Sequence, residues 1–460
     1  MATEFTLREY QEADVQFLVD HHRIYNTNEP GLGKTLETLE GLRRLRTGPV
    51  LVLGTKVSLG VWQQEIKKWL GVDAMIYGGT PRQREKLWDQ FRNAQQPGMK
   101  AIPFLLATFK MAAEIRERKS AWPAIVCDEI HRGGLLNHKT VTYKAVERLR
   151  SRYMVLLTGT PIRQGPQDLY APMHLLDPFA FPSYWPFVGK HCVVINDDFG
   201  KTLERMPKDA KKLRAAIAPY FIRHTKREVA EDMPPKTRIV IPVELTKGQR
   251  KIYDKLCLDM YAELDDGVIV APTQMTLLLR LRQLLVAPQL LGVMEDGAAL
   301  TTILEMMEDQ FLADRSIAIT TPFRQAIPFI MEALKRAGLT HLYQIHGQLT
   351  TKEMADASEA YQADKNVRKV MVYTIRSGQS FSIPAATTLY MLGSEWSAID
   401  NKQAEDRLHR LTQLHPVDIY YPLHKGTVDD LVLERLNDKQ RAEDWVLKPK
   451  EVLTVLKKLS

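Results

Sequence analysis

A chain of 460 residues calls for two or three domains, because single cores seldom grow past roughly 250–300 residues. Its 45% hydrophobic and 26% charged residues are ordinary for a globular protein, and without a run of 18 apolar residues nothing in it is expected to span a membrane. Three cysteines, Cys127, Cys192 and Cys257, far apart and without any Cys-x-x-Cys pair, argue against a disulfide framework and a cysteine-based zinc site, and make a reducing compartment the default. The net charge of +8 fits a polyanion partner, and without a basic tail that surface must be built by the fold.

Taken in order, Met1–Phe5 lacks the basic and then apolar build of a signal peptide. Residues 6–18 carry a helical pattern with Leu7, Tyr10, Asp14 and Phe17 near one face, Thr6 at the N-cap and Glu9 three residues on. Asn28-Glu29-Pro30-Gly31-Leu32-Gly33-Lys34-Thr35 then runs into the apolar series Leu36, Leu39, Leu42 and Leu45, the layout of a turn opening a helix. Gly31 and Gly33 admit conformations and close approaches that a Cβ obstructs. The turn's amides and the helix N-terminus face an anion together. In such a loop Lys34 reaches the β/γ-phosphates of a nucleotide and the Thr35 hydroxyl sits on Mg²⁺. The usual pattern begins with Gly; here that place holds Asn28.

Short apolar runs at Pro49–Gly54, Ile102–Ala107, Ala124–Cys127 and Met154–Leu157 predict strands, with a helix carrying Trp62, Ile66 and Trp69 after the first. Strands alternating with amphipathic helices mean a parallel sheet covered on both faces, with the chemistry beyond the carboxyl ends of the strands. Asp128-Glu129-Ile130-His131 stands at such an end. There Asp128 would hold Mg²⁺ through water and Glu129 would orient or deprotonate an attacking water; the plain alternative is an acidic strand-end cap. From about Gln164 to Met307 the pattern turns to helical, charge-rich segments, around Lys208–Ile222 and Lys247–Leu264, read as mostly α-helical insertion and linker. Strand–helix alternation resumes at Ser316–Thr320, Leu342–Ile345, Lys369–Tyr373, Thr387–Leu392 and Val417–Tyr421, predicting a second sheet. Thr427–Leu436 reads as an amphipathic helix before a basic tail. In Gln403–Gln413, Arg407 and Arg410 are three apart and hence neighbours on one helical face. Paired guanidiniums suit a charged phosphoryl-transfer state, although spacing alone favours a solvated helix with an Asp406–Arg410 pair.

Together, Leu7–Gln11, Gly31–Thr35, Asp128–Arg132, Leu157–Pro161 and Gln403–Gln413 resemble the SNF2 family of superfamily 2 ATPases. Ile222–Lys226, Met233–Lys236, Leu281–Gln283 and Lys425–Asp430 extend the likeness over nearly the whole chain, and the Gln403–Gln413 block is its most specific part. The resemblance implies an α/β fold of two RecA-like parallel-sheet lobes with SNF2-type α-helical insertions between them. Residues 1–163 would form lobe 1, 164–310 the insertions and interlobe linker, 311–425 lobe 2 and 426–460 a C-terminal helical extension. ATP would lie in the cleft and DNA across the top. Gln11 would meet the adenine, Gly31, Gly33, Lys34 and Thr35 the phosphates, and Thr35 and Asp128 the Mg²⁺. Glu129 would meet the water, Gln403 would join the nucleotide site, and Arg407 and Arg410 would serve as fingers. Thr158-Gly159-Thr160 would couple hydrolysis to lobe movement. Thr55, Lys56 and Thr108 from lobe 1, and Thr374, Arg376 and Gly378 from lobe 2, would touch a DNA backbone, with Trp396 near the duplex or else plain core. Asn28 and Pro30 stand where the family usually has Asp and Met, which questions the loop's flexibility. Gly133-Gly134 loosens the turn after the acidic pair, and Tyr373–Ser380 is poorer in glycine than the family's loop.

The expected activity is an ATP-driven translocase on double-stranded DNA that remodels protein–DNA complexes or branched DNA with little sequence preference. A strand-separating or annealing helicase on DNA or RNA, or an adaptor holding ATP as a structural ligand, are the alternatives. Chromatin-reading modules and nuclease motifs are missing from the sequence, which suggests a compact bacterial or viral protein in the cytoplasm, or a nuclear one if eukaryotic, with targeting left to a protein partner.

Overall fold

The computed structural model describes residues 7–96, 103–197, 200–229, 233–264, 267–271, 273–377, 381–410 and 412–430. These fall into two compact units, one up to residue 229 and one from residue 233 onwards.

The first unit is built on a seven-stranded sheet in which every pairing is parallel, with strands β1 (Arg23–Asn26), β2 (Val50–Gly54), β3 (Ala74–Tyr77), β4 (Phe104–Thr108), β5 (Ala121–Asp128), β6 (Arg150–Leu157) and β9 (Phe221–Ile222) in the order β3-β4-β2-β5-β6-β1-β9. A hairpin, β7 (Cys192–Asp197) and β8 (Gly200–Pro207), stands outside it. The central strands read as unbroken apolar runs because both faces are buried. Alternate residues feed opposite cores, Leu51, Leu53, Ile125, Cys127 and Leu156 on one side and Val50, Val52, Val126, Val155 and Leu157 on the other. Helix α1 spans Glu9–His21 with Arg8 at its N-cap, in place of the expected Thr6, which lies outside the described residues. Its buried side is Gln11, Asp14, Val15 and Leu18 rather than the Leu7–Tyr10–Asp14–Phe17 face, because the two polar residues find partners in the phosphate loop. Helix α2 (Lys34–Arg44) follows that loop, and helix α3 (Lys56–Leu70) buries Trp62 and Ile66.

The second unit holds a six-stranded parallel sheet of β10 (Lys236–Val243), β13 (Ile317–Thr321), β14 (His341–Ile345), β15 (Lys369–Thr374), β16 (Thr388–Met391) and β17 (Val417–His424), in the order β10-β17-β16-β13-β15-β14, beside a hairpin of β11 (Tyr261–Leu264) and β12 (Gly267–Val270). Each of the five strands expected here is present. Helix is the main element of residues 164–310, including Tyr184–His191, Ala210–Ile217, Lys247–Asp259 and Gln274–Val286, but both hairpins, β9 and β10 also fall there. Strand β10 pairs with β17 over eight residues, from Lys236↔Val417 to Val243↔His424. As an edge strand it is half polar, which hides it from a search for apolar runs. Of the expected helix Thr427–Leu436, only Thr427–Asp430 falls within the described residues. No helix among the described residues is long and apolar enough to cross a membrane.

Candidate active site

Register places the first unit's polar strand ends in one row. Asn26 on β1 is level with Leu157 on β6, and Leu157 with Asp128 on β5. The glycine loop, the Thr158–Thr160 segment and the acidic pair therefore leave the sheet side by side at its carboxyl edge, where open parallel sheets hold ligands. Gly31 and Gly33 both take left-handed backbone angles, φ 88° and 94°. A Cβ on Gly33 would lie 2.4 Å from Gln11 Nε2. Gln11 Nε2 donates to the Leu32 carbonyl at 3.0 Å and Tyr10 donates to the same oxygen at 2.7 Å, so α1 holds the loop from outside. Gly33→Ala is expected to cost about 1–2 kcal/mol of loop strain and about tenfold in ATP affinity. Anisotropy of a fluorescent ATP analogue would show it, and unchanged affinity would mean the loop does not need that conformation.

The departures at Asn28 and Pro30 prove to be braces. Asn28 is fully buried; its Nδ2 donates to Asp14 Oδ2 at 2.6 Å and Glu37 Oε2 at 3.2 Å, and its Oδ1 accepts from the His224 amide at 2.8 Å. Burial, with Asp14 nearby, pushes the Glu37 carboxyl up to about 8. His224, bonded to Asp14 at 3.0 Å, is itself pushed up. Pro30 packs on Gly159 so closely that a Cβ there would meet its ring at 2.8 Å. Arg223 Nη1 donates to the carbonyls of Thr27 and Gly159 at 2.5 and 3.1 Å, tying the two loops together. The segment around β9 thus lines the phosphate loop, a role that its two-residue strand conceals in the sequence.

Lys34 Nζ rests on the Asn28 and Glu29 carbonyls at 2.6 and 3.3 Å. Burial pushes its ammonium down, against the pull of Glu129, Glu37 and Asp128. Burial and then Glu129 push the Asp128 carboxyl up, while Trp62 Nε1 donates to Asp128 Oδ2 at 3.1 Å. A divalent cation at Asp128 would relieve that conflict, and Thr35, in the first turn of α2, would offer it a second oxygen, so these residues fit Mg²⁺. Glu129 is a non-glycine residue at φ 54°, the kind of backbone outlier that gathers at working sites. Burial alone would raise its carboxyl, but His131, Lys34 and Arg132 outweigh it and hold it low. His131 Nδ1 lies 3.1 Å from Glu129 Oε2 and 2.7 Å from Thr158 Oγ1, and Thr158 Oγ1 accepts the Thr160 amide at 3.0 Å. His131 therefore links the acidic pair to the Thr158–Thr160 segment. Gly133 does not loosen this turn: a Cβ there would fall 2.5–2.7 Å from the Phe109 ring, so glycine is needed for packing.

Thr55, Lys56 and Thr108 are brought together, because Gly54 on β2 is level with Thr108 on β4. Thr55 caps α3 by accepting the Ser58 amide at 3.2 Å, and Lys56 is exposed.

In the second unit, helix Ala398–Glu405 stops before the arginines. Arg407 and Arg410 consequently lie on the following turn and not on one helical face. The helix ends there because Glu405 is drawn onto β10 and Arg407 onto a loop. The two side chains still converge. Arg407, 3% exposed, donates to the Ser377 and Phe381 carbonyls at 2.9 and 3.2 Å over the Phe381 ring, and Arg410 Nη2 donates to the Phe381 carbonyl at 3.4 Å. Arg410 Nε is buried with no hydrogen-bond partner among the described residues. Gln403 is buried on the helix, and Thr374 is buried at the end of β15. Arg376 is exposed but paired with Glu395 at 3.1 Å and Asp400 at 3.4 Å. Trp396 is half-buried against the helical core around Ile252 and Leu256, with the Arg282 guanidinium 5.2 Å from its ring. Gly378 lies outside the described residues. Trp62, Arg223 and the His131 link were not singled out from the sequence; the Arg223 block carried a family likeness without a role.

Residues 10–290 match the SNF2-related domain family and residues 299–412 the helicase conserved C-terminal domain family. The chain belongs to the SNF2-related family. It is a superfamily 2 ATPase of the SNF2 kind, which implies use of ATP, typically with Mg²⁺. Over 96% of its length this SNF2 chain is 26% identical to the CHD3-type chromatin-remodeling factor CHR7 of Arabidopsis thaliana, covering 37% of that protein. At the same identity and coverage it is similar to the Homo sapiens SWI/SNF-related matrix-associated actin-dependent regulator of chromatin subfamily A member 1, covering 44% of it, and to the Saccharomyces cerevisiae ISWI chromatin-remodeling complex ATPase ISW1, covering 40%. The chain spans less than half the length of these curated relatives. Among solved structures, the Sulfolobus solfataricus SWI2/SNF2 ATPase core in complex with dsDNA aligns over 97% of this chain and 96% of its own, at 22% identity and a TM-score of 0.44.

Proposed function

We propose that this SNF2 core hydrolyses ATP in a DNA-dependent manner and uses the energy to move along double-stranded DNA, remodelling protein–DNA complexes or branched DNA. The observation that carries this reading is the His131 link. The residue assigned to the attacking water, Glu129, is joined through one imidazole to Thr158, so a change at the phosphates has a direct path into a neighbouring loop. Lys34 would exchange its two loop carbonyls for β/γ-phosphate oxygens, and Gln11 would border the adenine. Thr35 and Asp128 would hold Mg²⁺, which when bound neutralises charge on the phosphates. Arg410, with donor capacity to spare, would meet the developing charge, while Arg407 would hold the Ser377 and Phe381 carbonyls beside it. Thr55, Lys56 and Thr108 offer hydroxyl and ammonium donors for a phosphate backbone, contacts that carry no sequence and suit stepwise movement. The chromatin-remodelling names of the relatives support a protein–DNA substrate.

The test is ATP hydrolysis by the purified chain alone and with duplex DNA, single-stranded DNA or RNA, with Lys34→Ala beside it. Strong stimulation by duplex DNA, weakening as salt is raised and abolished in Lys34→Ala, is expected. Stimulation by single strands or RNA alone would transfer the reading to a helicase, and an active Lys34→Ala chain would overturn the site.

A further inference from the structure

The side chains that fix the arginine turn come from the strand that opens the second unit. Glu405, 1% exposed, has both oxygens engaged: Arg238 donates through Nε to Oε1 and through Nη2 to Oε2, each at 2.7 Å, Lys236 Nζ donates to Oε2 at 2.8 Å, and Tyr421 donates to Oε1 at 2.6 Å. Lys236 also reaches Asp406 Oδ1 at 3.4 Å, and His409 Nε2 lies 2.8 Å from the Pro234 carbonyl. Positions 405, 406 and 409 are thus held by residues 234–238, and they alternate with positions 407 and 410, which hold the Ser377 and Phe381 carbonyls. Burying such charges is costly, and an apolar cluster of the same volume is often at least as stabilising. What the ion pairs add is direction, since each donor fixes where a turn residue stands.

We infer that Lys236 and Arg238, at the start of β10, and Pro234 just before it are a positioning clamp for the arginine turn, setting where the Arg410 guanidinium stands. The clamp rests on the role given to Arg410 above. It includes the first strand of the second unit in chain order. Lys236 and Arg238 touch no nucleotide in this reading; they act through the turn.

A double-mutant cycle on the full chain tests it, with Lys236→Met, Arg238→Met and Arg410→Ala singly and combined, read as DNA-stimulated kcat, KM for ATP, affinity for a fluorescent nucleotide and melting temperature. Lys236→Met and Arg238→Met should each lower kcat about 10–100-fold with nucleotide affinity held within about twofold, as misplacement of a charge-stabilising group does. In the Arg410→Ala background neither should lower kcat further, because the group they position is gone. Lys236→Arg should recover most of the loss. Multiplicative losses in the doubles, or parental kcat in the singles, would overturn the clamp and leave Arg410 in place. Parental turnover by Arg410→Ala would overturn the assignment of Arg410 itself and the clamp with it. Should Arg238→Met melt below the assay temperature, Lys236→Gln carries the same cycle.

Discussion

Glu129→Gln is expected to bind ATP nearly as well as the parent chain and to hydrolyse it about a thousandfold more slowly, within the range that a positioned general base contributes. The substitution keeps the side chain's shape, and Gln Oε1 can still face His131, so the row of loops at the carboxyl edge should persist. What it removes is an oxygen able to take a proton from water, and the negative charge that His131, Lys34 and Arg132 now hold ionised. A filter-binding titration beside single-turnover hydrolysis separates the two effects. Parental single-turnover rates would remove Glu129 from the chemistry and leave its left-handed backbone without a functional account.

The second large effect concerns the fold. Glu405→Ala strips the acceptor from Lys236, Arg238 and Tyr421 in a buried setting, and breaking such a network from one side costs about 3–5 kcal/mol. Urea unfolding should show that loss, and hydrogen exchange should place it on β10, β17 and the arginine turn. Acid provides a second check. Burial alone would raise the Glu405 carboxyl, but Lys236 and Arg238 outweigh it and hold it at about 2. An unfolded glutamate titrates near about 4.3, so the network's contribution of about 3 kcal/mol is fully present above about pH 5 and fades as pH falls towards 2. The stability gap between parent and Glu405→Ala should therefore narrow over that window. A constant gap would mean that the carboxylate's charge is not what the lysine and arginine bind.

The parts legible in the sequence are those whose chemistry is local. Gly31 and Gly33 needed left-handed angles and have them; Asp128 and Glu129 needed an apolar strand before them and have one; the central strands of both sheets are runs that admit few other readings. The parts that escaped depend on partners far along the chain. Strand β1 has only Ile24 and Tyr25 between two polar residues and is a strand because β6 and β9 flank it. The spacing of Arg407 and Arg410 fits a helix, yet a buried carboxylate reaching for β10 ends that helix at Glu405, two residues before the first arginine and five before the second. Pro30 and Gly133 read as departures because the ring of Phe109 and the backbone of Gly159, which they fit, are 24 or more residues away.

The pairing of β10 with β17 has a consequence for synthesis. Lys236 leaves the ribosome 181 residues ahead of Val417, its partner in register (417 − 236), and among the described residues β10 has no other neighbour in the sheet. At about 5–20 residues per second, that edge strand waits about 10–40 s with its backbone donors and acceptors unclaimed and Lys236 and Arg238 without Glu405. The first sheet, closed by residue 222, can form on the nascent chain during that time. Production of this protein should therefore be sensitive to how fast the second half is translated, and chaperones that shelter extended strands should raise its yield more than those that act on finished domains.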